Sequence, residues 1–167
     1  MNMQTSFASP GVCRKSSDLG FTMIELLVVI TIAVILATLA APSFTTTIAR
    51  NKTRSVASEL YASLSRTRSE ALSHNATVSL SAKAGGWNAG WSITNPVMSD
   101  TTIDERASTA GVIVSANTTT VAYSSWGRLN NTTAPMFVVT SAVSDAATTC
   151  VSVDLSGRPY MKSASSC

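Results

Sequence analysis

Charge, aromatic side chains and histidine are all scarce in this 167-residue chain: 13% of residues are charged, 6% are aromatic, and the single histidine is His74. One histidine leaves no choice of base for a Ser-His-Asp triad and no histidine-rich metal site. Placed at a helix end, it is simply a cation favourable to the helix dipole. No P-loop, CxxC pair or GxGxxG fingerprint occurs, which removes the phosphate cradles and redox dithiols that those motifs build. Asp104 and Glu105 are adjacent carboxylates in a polar stretch and read as a solvated loop rather than an acid/base pair. The expectation is a protein that is not an enzyme and holds neither cofactor nor metal.

What is abundant is apolar surface, 45% of residues with a mean hydropathy of +0.23, and it is spread unevenly. Residues 26–41 contain no charge, whereas the chain beyond Pro42 is rich in Ser, Thr, Asn and Ala with scattered Val and Ile. This excludes a disordered chain, a collagen-like chain and a polytopic membrane protein. The length fits one compact domain with one appended segment. Net charge is +3 with a pI near 9.0, too small an excess to imply nucleic acid by itself. Its location is more informative: residues 43–74, with Arg50, Lys52, Arg54, Arg66 and Arg68 against Glu59 and Glu70, hold a net +3, and the chain beyond His74 is balanced.

Residues 1–20 are polar, carry Arg14 and Lys15, and end at Gly20; the apolar run starts at Phe21. Residues 21–41 would make a helix about 32 Å long, enough for a hydrocarbon core of about 30 Å. The basic leader predicts a cytoplasmic N-terminus, with everything after Pro42 across the membrane. Glu25 is out of place in such a segment. A carboxylate there costs roughly 2.5–3.5 kcal/mol near the helix centre, less near an end, and normally has a partner. An ordinary secretory signal peptide, with small residues at 39–41, accounts for export but gives Glu25 no purpose.

The run Gly20, Phe21, Thr22, Met23, Ile24, Glu25, Leu26, Leu27 resembles the class III signal of type IV pilins and pseudopilins. The resemblance implies cleavage by a prepilin peptidase between Gly20 and Phe21, N-methylation of Phe21, and an assembly role for Glu25 at the fifth mature position. In that family a proline at the position of Pro42 lies within one long curved helix, although local rules would make it a helix end. Beyond it Phe44, Ile48, Val56, Leu60 and Leu64 recur at multiples of four, with Leu72 continuing, which predicts an amphipathic helix to about Leu72 with Asn75 near its end.

The period then becomes two. Val78, Leu80 and Ala82, Val121 and Tyr123, and Val151, Val153 and Leu155 alternate with polar residues, and residues 111–116 and 136–140 are short apolar runs. Gly85 and Gly86, Asn95 and Pro96, Asn130 and Asn131, and Ser156 and Gly157 mark turns, and residues 95–109 read as an exposed loop. This predicts a helix on an antiparallel sheet. Residues 59–72, ELYASLSRTRSEAL, followed by Asn75 and the strand at Val78, resemble the GspH/FimT family of minor pilins and pseudopilins, whose helix ends in an Arg-x-Glu-Ala signature. Trp87, Gly90 and Trp91 match its Gly-Trp strand, and Trp126, Gly127 and Arg128, with Ser156, Gly157 and Arg158, match its glycine-arginine turns. Apart from that match, the three tryptophans Trp87, Trp91 and Trp126 read as core or sheet-face packing.

The expected fold is therefore α+β and type IV pilin-like: a long N-terminal helix, transmembrane then amphipathic, packed on an antiparallel β-sheet domain. Its parts are a cleaved leader (1–20), a transmembrane and assembly helix (21–42), an amphipathic helix (43–74) and a periplasmic sheet region (75–167). Cleavage would remove Cys13 and leave Cys150 and Cys167 in an oxidising periplasm. A turn at Ser156 and Gly157 lets residues 151–155 pair with 158–161 and carries the tail back toward Cys150, so a disulfide between them is expected. The resemblance implies a structural subunit of a type IV pilus or a type II secretion pseudopilus, in the complex that initiates assembly at the tip. Its partners would be the prepilin peptidase, other minor pilins or pseudopilins, the major pilin, the inner-membrane assembly platform and the membrane. Competence members of the family contact DNA through a Gly-Arg-x-Arg tail motif. Here Gly157 and Arg158 match, Tyr160 stands where the second arginine would be, and Lys162 follows, which makes DNA the alternative partner.

Overall fold

The computed structural model describes residues 20–98, 101–142, 148–164 and 167, together with the backbone but not the side chains of 39–43. Residues 1–19 of the leader, with Cys13, Arg14 and Lys15, lie outside these residues, as do Asp100 and the ring of Pro42. The chain divides into two compact units, Met1–Ala40 and Ala41–Cys167.

Helix α1 runs Met23–His74. Its start is capped by Thr22, whose hydroxyl oxygen accepts the Glu25 backbone N–H at 3.2 Å, while the Thr22 carbonyl accepts the first intrahelical bond, from Leu26, at 3.1 Å. Thr22 and Glu25 thus occupy the N-cap and N3 positions of a Thr-x-x-Glu start. The helix continues through position 42, as the pilin resemblance implied and the local proline rule did not. It ends where Asn75 turns left-handed (φ 48°), with Ala76 N–H on the Ala71 carbonyl and Asn75 N–H on that of Leu72, the two bonds of a Schellman cap.

Eight strands follow among the described residues: β1 Val78–Lys83, β2 Gly86–Thr94, β3 Thr102–Ala107, β4 Val112–Ala116, β5 Thr120–Tyr123, β6 Met136–Ser141, β7 Thr148–Val153 and β8 Pro159–Lys162. They form two antiparallel sheets, ordered β3-β2-β1-β5 and β4-β6-β7-β8. Thr53, Val56, Leu60, Leu64, Thr67 and Ala71 of α1 are buried. Val56, Leu60, Leu64 and Ala71 share a core with Leu80, Ile93 and Val121 of the first sheet and Phe137, Val139 and Val151 of the second. Trp87 packs edge-on to Phe137 at 4.8 Å. Asn88 ties the sheets together, its side-chain carbonyl accepting Val114 N–H at 2.6 Å.

Four expectations need correction. Phe44, Ile48 and Leu72 are exposed, because residues spaced strictly by four drift about 40° per step around a helix of 3.6 residues per turn and leave the stripe centred on Leu60 and Leu64. The stretch 95–109 is not all loop, since Thr102–Ala107 forms edge strand β3 on β2, pairing Trp91 with Arg106 and Ser92 with Glu105. Asp104 and Glu105 are not merely solvated: Asp104 accepts from Arg66 at 2.9 Å and Glu105 is ion-paired with Lys83. Leu155 lies in the turn after β7 instead of in a strand.

Cys150, fully buried on β7, is bonded to Cys167, with Cα atoms 5.5 Å apart. The bridge spans 17 positions of sequence, worth about 3 kcal/mol through the restricted unfolded chain. The core residues all lie within Ala41–Cys167, so a fragment of residues 41–167 carries its own core. In that fragment Cys150→Ser and Cys167→Ser should each lower the urea midpoint by a similar amount, and the double variant should be no worse, since either change opens the loop. Two thiols titrating in the unreduced, denatured fragment would show that no bridge forms.

Candidate functional site

Two regions hold the residues singled out by sequence. At the amino-terminal end Gly20, Phe21 and Thr22 precede the helix and are exposed. Phe21 is 74% exposed, and Glu25 stands in the first turn of α1. A negative charge there is favoured by the positive end of the helix dipole. The same Thr22 cap that starts the helix sets Glu25 one turn from Phe21. From residue 23 to residue 38 every side chain is exposed. Among the described residues no helix is long and apolar enough to cross a membrane; the predicted span, 21–41, reaches into positions whose side chains lie outside them.

The second region is built from two turns of the same design, SSWGR at 124–128 and DLSGR at 154–158. In the first, Ser124 N–H donates to the Arg128 carbonyl and Gly127 N–H to the Ser124 carbonyl, both at 2.8 Å, and the Ser124 hydroxyl accepts Arg128 N–H. In the second, Asp154 N–H reaches the Arg158 carbonyl at 3.1 Å and Gly157 N–H the Asp154 carbonyl at 2.9 Å. The Asp154 carboxylate accepts Arg158 N–H at 2.9 Å and the Ser156 hydroxyl at 2.6 Å. Those hydrogen bonds, that of Ser156 first, hold the Asp154 carboxyl below the usual carboxylate range, because they stabilise the charged form.

The turns are stacked. A Cβ on Gly157 (φ +86°) would lie 2.2 Å from the Gly127 carbonyl oxygen, so only glycine lets the second turn seat on the first. That same oxygen accepts Arg68 Nε–H at 2.9 Å, which anchors the pair to α1. Beneath them Tyr123 is fully buried with its hydroxyl unpartnered. Burial, more than any charge, pushes its pKa up, and Arg68 acts in the opposite sense.

The stack arranges the predicted carboxy-terminal residues. Arg158 follows the second turn and is exposed, as are Tyr160 and Lys162 on β8. Tyr160 and Lys162 share a sheet face by strand periodicity, and Lys162 pairs across the ladder with Cys150. Trp126 departs from the packing expectation. Trp87 and Trp91 are buried and donate their indole N–H groups to the Thr118 carbonyl and the Ser63 hydroxyl, but Trp126, at the apex of its turn, is 82% exposed. His74 ends α1 3.5 Å from Glu70. Sequence reasoning matched both turns but did not connect them with each other or with Arg68. The signal was the repeated [Ser/Asp]-x-x-Gly-Arg pattern, 30 residues apart.

Gly157→Ala should lower stability more than Gly86→Ala. Both glycines have positive φ, +86° and +83°, but a Cβ at Gly86 meets nothing within 4 Å. Strain alone costs about 1–2 kcal/mol, and the clash at Gly157 adds to it, so urea midpoints of the two variants should differ clearly. Equal midpoints would mean that the stack is loose.

Comparison with known proteins agrees with this architecture. Residues 56–157 match the family described as Type II transport protein GspH, and residues 15–41 match the prokaryotic N-terminal methylation motif. Among curated proteins none matches. Two crystal structures of the type IV minor pilin FimU of Pseudomonas aeruginosa are similar in fold. In space group P21 the TM-score is 0.60 at 23% identity, covering 70% of this chain and 96% of that one; in space group P65 it is 0.58 at 23% identity, covering 68% and 98%. With its pilin-type amino terminus and a GspH match over most of its length, the chain belongs to the GspH family of minor pilins and pseudopilins.

Proposed function

We propose that the protein is a single-pass inner-membrane subunit that, once its leader is removed, joins a short type IV pilus or type II secretion pseudopilus through α1, in the complex that initiates the tip. The observation that carries this reading is the unbroken exposure of residues 23–38, where Ile24, Leu27, Ile30 and Val34 are all more than half exposed. Such a surface is stable only in lipid or against other apolar helices. In this reading the N-terminus is cytoplasmic and the sheets are periplasmic. The prepilin peptidase cuts between Gly20 and Phe21 and Phe21 is methylated. Glu25 meets the amine of a neighbouring pilin. The other partners are minor pilins, the major pilin and the inner-membrane assembly platform. The family is structural, and the constellation that an enzyme would need is not among the sequence motifs.

A second reading, capture of DNA by a competence pilus, is favoured by one observation: Arg158, just before β8, and Lys162, at its end, are exposed and neither forms an ion pair among the described residues.

Intact mass of the membrane-extracted protein should correspond to 147 residues, the 167 of the chain less a 20-residue leader, beginning with methylated Phe21. A new terminus near Ala41 would leave only a secretory signal. Glu25→Ala should be processed and inserted normally yet fail to enter the filament, because an unpaired amine in a low-dielectric interior is costly. Normal piliation or secretion by this variant would remove the assembly role of Glu25. For the second reading, Arg158→Ala and Lys162→Ala should each flatten the log-log salt dependence of DNA affinity by about one phosphate contact, near 0.9 in slope; unchanged slopes would take both residues out of the contact.

A further inference from the structure

The stacking of the two turns places more than Arg158 at one end of the domain. A Cβ on Gly157 would lie 3.2 Å from Arg128 Cα. Adding a Cα–Cβ bond of about 1.5 Å and one Cα–Cα step of about 3.8 Å keeps the Arg128 and Arg158 Cα atoms within about 8.5 Å of each other. Both arginines are exposed and neither forms an ion pair among the described residues. Meanwhile Glu59, Glu70, Asp104 and Glu105 are each committed to Arg106, Arg66 or His74, Arg66 and Lys83. The local carboxylate, Asp154, already accepts two hydrogen bonds inside its turn. Apart from Asp154, whose charge Arg158 also feels, little negative charge of the chain lies uncommitted, and among the described residues a second copy of this chain offers few uncommitted carboxylates.

Aromatic faces are interleaved with these cations. Trp126, two residues before Arg128, is 82% exposed, and Tyr160, two residues after Arg158, is 45% exposed. Protruding rings alternating with unpaired cations match a ligand in which flat rings alternate with phosphates. An acidic protein face supplies charge without rings. A duplex supplies both but keeps its bases stacked on one another, closed to a tryptophan at a turn apex. A single strand leaves its bases free to stack on an aromatic side chain, an interaction that tolerates any sequence.

We infer that the paired turns form a binding surface for single-stranded nucleic acid, with Trp126 and Tyr160 as stacking platforms and Arg128 and Arg158 as phosphate contacts. The inference rests on the nucleic-acid reading of the β8 residues and extends it to the first turn, to Trp126 and to the strandedness of the ligand.

The test uses the 41–167 fragment at fixed low salt and four probes: a 20-nucleotide oligo(dT), a 20-base-pair duplex, linear polyphosphate and polyglutamate. Trp87 and Trp91 are 6% and 3% exposed, so quenching of tryptophan emission reports Trp126. Oligo(dT) should quench the emission and bind at least tenfold more tightly than the duplex, whereas polyphosphate should bind without quenching. Trp126→Ala should weaken oligo(dT) binding about tenfold and leave polyphosphate binding unchanged, Trp126→Phe should recover part of the loss, and Arg128→Ala should weaken both. The Trp126 side chain makes no hydrogen bond among the described residues, and unaltered unfolding midpoints will show that the variants fold. Duplex binding as tight as oligo(dT), or a Trp126→Ala variant that binds oligo(dT) normally, overturns the stacking site while the DNA reading survives. Polyglutamate binding equal to oligo(dT) overturns it in favour of an acidic protein partner. No binding of any nucleic acid overturns both nucleic-acid readings, and the subunit reading is judged separately, by processing and filament entry.

Discussion

Burial of the α1 stripe centred on Leu60 and Leu64 is the interaction on which both sheets depend. Each of these leucines is fully buried, worth about 1.5–3 kcal/mol relative to exposure, and each belongs to the core shared by the helix and residues of both sheets. Helix stability in proteins comes mostly from such packing and not from propensity. Without the stripe, the two four-stranded sheets would keep their own ladders, the Trp87–Phe137 contact and the Asn88–Val114 hydrogen bond but lose the helix side of the core they share. Arg68, on the same helix, then extends this order to the surface: its single hydrogen bond to the Gly127 carbonyl seats the first turn, and the first turn seats the second.

The helix has two faces with opposite requirements. From Thr53 to Ala71 a narrow stripe is buried and the flanking positions carry charge, with Arg66 and Glu59 reaching Asp104 and Arg106 on edge strand β3. These pairs are half-exposed, so each contributes little to stability. Their charges do, however, make the β3 edge unattractive to another strand. From residue 23 to 38 the requirement reverses: the apolar surface is exposed all round and no polar face exists. A subunit that must leave a bilayer and enter a filament needs this division, since one segment has to find apolar partners and the other must not.

The chemistry of the site follows from the same economy. Arg66, Arg68, Lys83 and Arg106 are committed to carbonyls or carboxylates, whereas Arg128 and Arg158 at the turn end form no ion pair among the described residues. The Asp154 turn uses its own carboxylate internally, on the Ser156 hydroxyl and the Arg158 N–H. Cys150 on β7 pairs with Lys162 of β8, and its disulfide holds Cys167 to the sheet that presents these groups.

Much of this was legible locally. The amphipathic stretch of the helix to within two residues of its end, Asn75 at its cap, most strands and the cysteine pair follow from period, composition and spacing, which depend only on near neighbours in the chain, whereas the amino-terminal signal and the helix through position 42 came from the resemblance to pilins. The rest was not. β3 contains one large apolar residue, Ile103, and exists because its ladder to β2 and its ion pairs to distant residues form only in the folded protein. Phe44, Ile48 and Leu72 share the spacing of the core residues, yet helical drift turns them outward. Trp126 is as apolar by composition as Trp87 and Trp91, and only the turn in which it stands decides that it faces solvent. The sequence by itself determined the elements, the amino-terminal signal and the types of residue in each turn. The tertiary structure alone decided that two turns 30 residues apart lie on one another and bring Arg128 to Arg158, because that contact is made through backbone atoms of glycines, which leave no mark of their partner in the sequence.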